Sequence, residues 1–303
     1  MTDSARLVIF CGKGGVGKTT LSLAAGLKYA ATGRRVLVIS SHPLSELALA
    51  VSLEGLATQF PAAAPNLFVV HIDPRELIRD FVKSHLPNLL MGQSVLNSSI
   101  FKNLIEIAPG LKEFFFLGRL QELAERRKGD SPAAVPDYDY LIWDAPATGH
   151  FLNMLQSAKS FQVLLTGPLA SAGAQLNRFF STARNIQMFP VTPLEEMAIA
   201  ETIELAQSMK QEFEVPCAAL LVNCASPMCT VPESALAGLE EKIGSSPALQ
   251  FAVQRGFIER ERCAELAAAL PIPQMLIPRV TQGTNDIDLI ARIGDSMDFA
   301  QFS

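Results

Sequence analysis

Seven short apolar runs punctuate the chain, at residues 7–10, 35–40, 66–72, 138–144, 187–192, 216–223 and 274–278. Runs of this length, rich in Val, Ile, Leu and Phe, read as strands buried on both faces. Between them the period becomes helical. Residues 20–25 open a helix directly after a glycine-rich turn, Gly33 closes it, and residues 193–202 open another. Asp73 followed by Pro74 predicts an N-cap and a first helical position, and Thr192 with Glu195 predicts a capping box. From 76 to 127 three apolar faces recur at helical spacing: Leu77/Ile78 with Phe81/Val82; Val95/Leu96 with Ile100/Phe101 and Leu104/Ile105; and Phe114, Phe115, Phe116 and Leu117 with Leu120 and Leu123. Strands that alternate with helices need crossovers. The predicted fold is therefore α/β, a doubly wound, mostly parallel sheet with helices on both faces and a helical insertion over about 75–130.

Composition narrows this picture in three ways. The 303 residues show no internal repeat and no linker, so a single domain over 1–303 is expected. A net charge of −5 argues against a partner recognised by neutralising phosphates, so no nucleic acid is expected. Mean hydropathy is +0.25, yet no run of about 18 apolar residues marks a transmembrane segment, and no signal peptide is visible. The five cysteines are odd in number and include no C-x-x-C pair; Cys224 and Cys229 are poorly spaced for zinc. Reduced thiols in a cytoplasmic protein are the expectation.

The first run leads into Gly12-Lys13-Gly14-Gly15-Val16-Gly17-Lys18-Thr19-Thr20, which fits G-x-x-x-x-G-K-[ST] from Gly12 to Thr19. Glycines let successive backbone N–H groups converge on a phosphate, and the helix N-terminus adds partial positive charge at the same point. Lys18 is placed to reach the β- and γ-phosphates and Thr19 to hold Mg²⁺. The run at 138–144 ends in Asp144, the apolar strand with a terminal carboxylate that holds the shell of the same Mg²⁺.

With Lys13 present besides Lys18, the loop resembles the deviant-Walker family of P-loop ATPases. These include the arsenite-pump ATPases, the tail-anchored-protein targeting ATPases, nitrogenase iron protein and the Min- and Par-type positioning ATPases. Asp144-Ala145-Pro146-Ala147-Thr148-Gly149-His150 is similar to the Asp-Thr-Ala-Pro-Thr-Gly-His of the first two groups, with a shift of one residue after Asp144, and separates this chain from the Min and Par types. The resemblance covers essentially the whole chain, at half the length of the duplicated arsenite pumps. It implies an ATPase that binds ATP and Mg²⁺ and acts as a dimer, of identical chains or with a paralogue. It further implies that Lys13 reaches the partner's nucleotide. Asp144, Pro146, Thr148, Gly149 and His150 would form switch II, a loop that senses the γ-phosphate. Asn223 would lie against adenine, with Pro278 near the base. Helices of the insertion would engage an apolar client or a membrane-protein partner, a surface that Met91, Phe101 and Phe114 would suit.

The residues alone allow plainer readings. Lys13 is then a solvated loop charge, Asn223 satisfies its own turn, His150 is a polar helix-start residue, and the helices of 75–130 pack on the sheet. One position departs from the resemblance. After the second strand the family reads roughly Ser-Thr-Asp-Pro-Ala-His, and its aspartate orients the attacking water; here His42 stands in that place, with Pro43 keeping the register. Three readings follow. His42 is a general base, titrating near pH 6.5; Glu46 supplies the missing carboxylate; or ATP is bound and hydrolysed slowly or not at all, as in a nucleotide-gated binding subunit.

Overall fold

Side chains of a strand alternate between faces, so a run without polar interruption must be covered on both. The computed structural model describes residues 6–40, 58–59, 64–85, 110–128, 136–164, 168–181, 186–213, 215, 217–232, 234–235, 246–280 and 286–299, and it bears the alternation out. In β1 (Arg6–Gly12), Leu7, Ile9 and Cys11 enter one core while Val8 and Phe10 enter the other. The same division holds in β2 (Val36–Ser40), β4 (Leu67–His71), β5 (Tyr140–Ala147) and β6 (Ile186–Thr192). With the two-residue β3 (Thr58–Gln59), β7 (Leu220–Ala225) and β8 (Gln274–Pro278) they form one sheet in the order β3-β4-β2-β5-β1-β6-β7-β8. Among the described strands only β3 is antiparallel, on the edge. The fold is α/β and doubly wound.

Helices cover both faces. On one lie α1 (Lys18–Ala31) and α8 (Asp286–Asp295), packed against each other. On the other lie α3 (Leu111–Glu125), α4 (Thr148–Leu164) and α5 (Pro168–Ser181), with α2 (Pro74–His85) against α3. A third, smaller core joins β7 to α6 (Glu196–Ser208) and α7 (Pro247–Ala269). Trp143 ties the face of α3 and α4 to the carboxyl end of β5: fully buried, it meets Phe116 of α3 at 5.5 Å and Phe151 of α4 at 5.3 Å between ring centroids.

Several expectations are corrected. The strand expected at 138–144 runs from Tyr140 to Ala147, because Ala147 pairs with Gly12 beyond a register shift at which β5 carries one extra residue. The stretch from Ala145 to His150 therefore contains no loop: it passes from strand directly into α4. The Thr192–Glu195 capping box does not form. Thr192 is fully buried at the end of β6 and donates its hydroxyl to the Pro193 carbonyl, and Glu195 precedes α6 without a side-chain cap bond. Phe114 does not face outward for a client: it is 4% exposed and stacks on Phe161 at 4.7 Å. The described helices of 75–130 pack inward, α3 against the sheet and α2 against α3; Met91 and Phe101 lie outside the described residues. The Asp73 cap forms as expected, with Arg75 N donating to Asp73 Oδ1 at 2.9 Å.

The sheet order also sets where a ligand binds. From β1 the chain crosses to β2 on one side, and from β5 it crosses to β6 on the other. The crevice beyond the carboxyl ends of β1 and β5 is thus the topological switch point. Gly12 enters it at φ +142°, and a Cβ there would overlap the backbone carbonyl of Val191. Left-handed strain and the overlap act together, so Gly12→Ala should destabilise the protein by at least about 2 kcal/mol. Denaturant unfolding followed by the sole tryptophan, Trp143, checks this; a variant within about 0.5 kcal/mol of the wild type would mean that the strand end adapts.

Candidate functional site

The loop after β1 takes the shape its glycines permit. Gly15 and Gly17 have φ of +81° and +94°, and Gly17 precedes α1 without any side-chain cap bond. The first-turn N–H groups of α1 thus have no capping side chain, an arrangement suited to an anion. Val16 is buried, whereas Gly14 and Gly15 are exposed at the mouth of the loop.

Lys18 folds back across this loop. Its ammonium donates to the carbonyls of Gly12, at 3.0 Å, and Lys13, at 2.8 Å, and the residue is only 8% exposed. Burial lowers its pKa, and the nearby Asp144 carboxylate opposes that shift. Thr19, next in sequence, donates its hydroxyl to Asp144 Oδ2 at 2.6 Å, and the Ser40 hydroxyl approaches the same oxygen at 3.3 Å. Asp144 is 4% exposed. Two hydroxyls on one carboxylate, beside the phosphate loop, suit Mg²⁺, which takes few protein ligands and keeps waters and phosphate oxygens. Among the described residues no group of three His, Cys, Asp or Glu side chains offers a site for a softer metal.

The other sequence-identified residues fall around this centre. Thr20 lies in the first turn of α1. Ala147 comes beside Gly14, where a Cβ on the glycine would sit 4.0 Å from that of Ala147. The segment from Asp144 through Pro146 to Thr148, Gly149 and His150 therefore borders the phosphate loop. The Thr148 hydroxyl is buried and has no partner among the described residues. His150 Nε2 lies 3.9 Å from Glu113 of α3. Asn223 clamps the loop: its Nδ2 donates to the Val16 carbonyl at 2.8 Å, its Oδ1 accepts from Cys224 N at 2.9 Å, and a Cβ on Gly17 would overlap its amide. Pro278 ends β8 at the same edge of the sheet, paired with Ala225 of β7. His42, Pro43 and Glu46 lie outside the described residues.

Three participants carried no role in the sequence. Ser40 joins Asp144 from the neighbouring strand. His71, at the end of β4, holds the Ser40 carbonyl through Nδ1 at 3.2 Å. Glu201, on α6, receives the ammonium of Lys13 at 2.6 Å. A carboxylate 188 positions from its lysine has no local pattern to announce it. Ser40 and His71 sit at the ends of β2 and β4 beside Asp144, in register, so strand pairing is the one signal that finds them.

Residues 5–215 match the family described as anion-transporting ATPase. The chain is 23% identical to ATPase BagA of Mycobacterium tuberculosis, over 97% of this chain and 93% of that protein. It is 31% identical to the arsenical pump-driving ATPase of Escherichia coli, over 49% of this chain and 25% of that one. The arsenical pump-driving ATPase of Acidiphilium multivorum gives the same identity over the same shares.

Proposed function

Because this chain belongs to the anion-transporting ATPase family, we propose that it is an ATP-driven molecular switch that works as a pair of chains and couples its nucleotide state to a client or membrane partner. The convergence of Lys18, Thr19 and Asp144 at the ends of β1 and β5 is the observation that carries this proposal. Backbone N–H groups of Lys13, Gly14, Gly15, Val16, Gly17 and Lys18 receive the phosphates of ATP, with Gly12 and Thr20 bounding the loop. Lys18 exchanges two backbone carbonyls for phosphate oxygens. Thr19 and Asp144 hold Mg²⁺, which when bound neutralises charge on the phosphates. Asn223 keeps the loop carbonyl of Val16 in place and turns its remaining polar capacity to adenine, beside Pro278.

Lys13 leaves Glu201 to reach the nucleotide of the partner, a second copy of this chain or a paralogue. Asp144, Pro146, Thr148, Gly149 and His150 act as switch II. Their junction of β5 and α4 borders Gly14, so a shift there moves α4 and, through Phe161 and Phe114, α3. In this proposal residues 1–303 form one cytoplasmic ATPase domain that binds no nucleic acid, and the insertion over about 75–130 meets an apolar client or a membrane protein. Among the described residues no helix is long and apolar enough to cross a membrane.

His42 supports a second reading, in which the chain binds ATP, turns it over slowly or not at all, and pairs with a catalytically complete paralogue. Calorimetric titration with Mg²⁺–ATP and phosphate release from the wild type and His42→Asp test both. Magnesium-dependent binding is expected. A gain of tenfold or more in His42→Asp supports impaired hydrolysis, whereas robust wild-type turnover with no gain removes it. Absence of Mg²⁺–ATP binding overturns the switch itself.

A further inference from the structure

Cys229 and Cys263 bring their sulfurs to 3.7 Å, and the nucleotide site uses neither. Cys229 lies in the short 3₁₀ turn Pro227–Thr230 that follows β7, and Cys263 lies on α7. Contacts without sulfur hold the two elements together. Glu259 of α7 is 4% exposed; it accepts from the Ser226 backbone N–H at 2.7 Å and from Arg255 Nε at 2.6 Å. Arg260 donates to the Val231 carbonyl. Gly256 is so close to Met228 that a Cβ there would overlap it. Gly256, Glu259, Arg260 and Cys263 share one helix face, so the sulfurs meet through the docking of a whole helix face on the turn. Closing 3.7 Å to the ~2.05 Å of a disulfide is a shift of under about 2 Å between the sulfurs.

We propose that Cys229 and Cys263 are a dithiol modification site that hydrogen peroxide converts to an intramolecular disulfide. Cys229 is buried and Cys263 is partly exposed, so Cys263 meets the oxidant. Its sulfur attacks one peroxide oxygen: an S–O bond forms, the O–O bond breaks, and the departing hydroxide takes the thiol proton as water. The Cys229 sulfur then attacks the Cys263 sulfur. The S–S bond forms, the S–O bond breaks, and the leaving hydroxide takes the second proton as water. Two thiols lose two electrons and one peroxide gains them.

Local chemistry sets the pace. Burial pushes the Cys263 thiol up to about 12, with Cys229 and Glu259 adding to the effect. Burial also raises Cys229; Glu259 adds to that shift, while its contact with Cys263 and the Arg260 charge oppose it. Both sulfurs are therefore protonated at neutral pH and oxidation is slow. The product ties the segment just beyond Asn223, the residue on the Val16 carbonyl, to the outer helix.

The test is peptide mapping of the full wild-type chain after excess hydrogen peroxide, iodoacetamide quench and digestion without reductant. The expected result is that alkylatable thiols fall from five by two, with one cross-linked peptide pair carrying Cys229 and Cys263 that dithiothreitol separates. Cys229→Ser should lose the cross-link and leave Cys263 as a sulfenic acid that dimedone traps. Should that variant not fold, the wild-type map decides alone. Five alkylatable thiols after peroxide, or either cysteine joined instead to Cys217, Cys224 or a second chain, would overturn the proposal.

Discussion

Lys18→Ala should lower ATP turnover by about 10²–10³-fold, the loss that follows removal of one preorganised donor at a site of developing charge. In the resting loop the Lys18 ammonium is already out of water, held by the carbonyls of Gly12 and Lys13. Burial has lowered its pKa in spite of Asp144. An ammonium desolvated in advance needs little reorganisation to meet a phosphate, which makes it more effective than a solvent-exposed charge. The fold should survive, because the variant removes a desolvation penalty and two hydrogen bonds together; a stability change within about 2 kcal/mol is expected. Phosphate release, Mg²⁺–ATP binding and thermal unfolding separate the terms. Turnover within threefold of the wild type would show that the phosphates do not rest on this lysine.

Lys13→Ala should leave nucleotide binding by the single chain nearly intact and remove turnover that depends on pairing. A cation delivered in trans to a transferring phosphoryl group is worth about 10³–10⁵ in rate, so a loss of at least about 10³-fold is expected. The wild-type rate per chain should rise with protein concentration, and the variant rate should stay flat. In the proposed pair, the resting contact with Glu201 is a small obstacle to release. Its partners are 38% and 35% exposed, and such a pair contributes about 0–1 kcal/mol. Glu201→Gln should therefore strengthen ATP-dependent association by no more than about fivefold. A drop in Glu201→Gln as deep as in Lys13→Ala would instead make Glu201 the residue that aims the lysine at the partner.

How far the residues announced this arrangement differs by element. The first strand, its glycine turn and the helix after it are legible because each rests on neighbours within a few positions. Two left-handed glycines of the loop, Gly12 and Gly17, stand where G-x-x-x-x-G-K-[ST] leads one to expect special backbone; Gly15, also left-handed, falls at a position the motif leaves open. The end of β5 is not legible in the sequence because a strand stops where its partners stop: Ala147 continues β5 opposite Gly12. Thr192 looked like a cap in one dimension, yet full burial at the end of β6 spends its hydroxyl on Pro193.

Phe114, Phe115 and Phe116 show the same limit. A run of three aromatic residues gives no period from which to choose an inner face. In the fold each has a different neighbour: Phe161 for Phe114, Phe81 for Phe115 and Trp143 for Phe116. Phe114 and Phe116 are thus buried, and Phe115 is partly covered.

The sequence by itself determined the class of fold, the phosphate loop and the carboxylate strand, since apolar period, glycine placement and the Lys-Thr pair act over short spans of backbone. Only the tertiary structure decided that Lys13 rests on Glu201, that Asn223 holds the loop through Val16, that Ser40 joins Thr19 at Asp144, and that Cys229 pairs with Cys263 rather than with Cys224. Each of these is a side-chain contact between segments brought together by sheet order and helix docking. Such contacts depend on where whole elements come to lie, and no local pattern of residues encodes that.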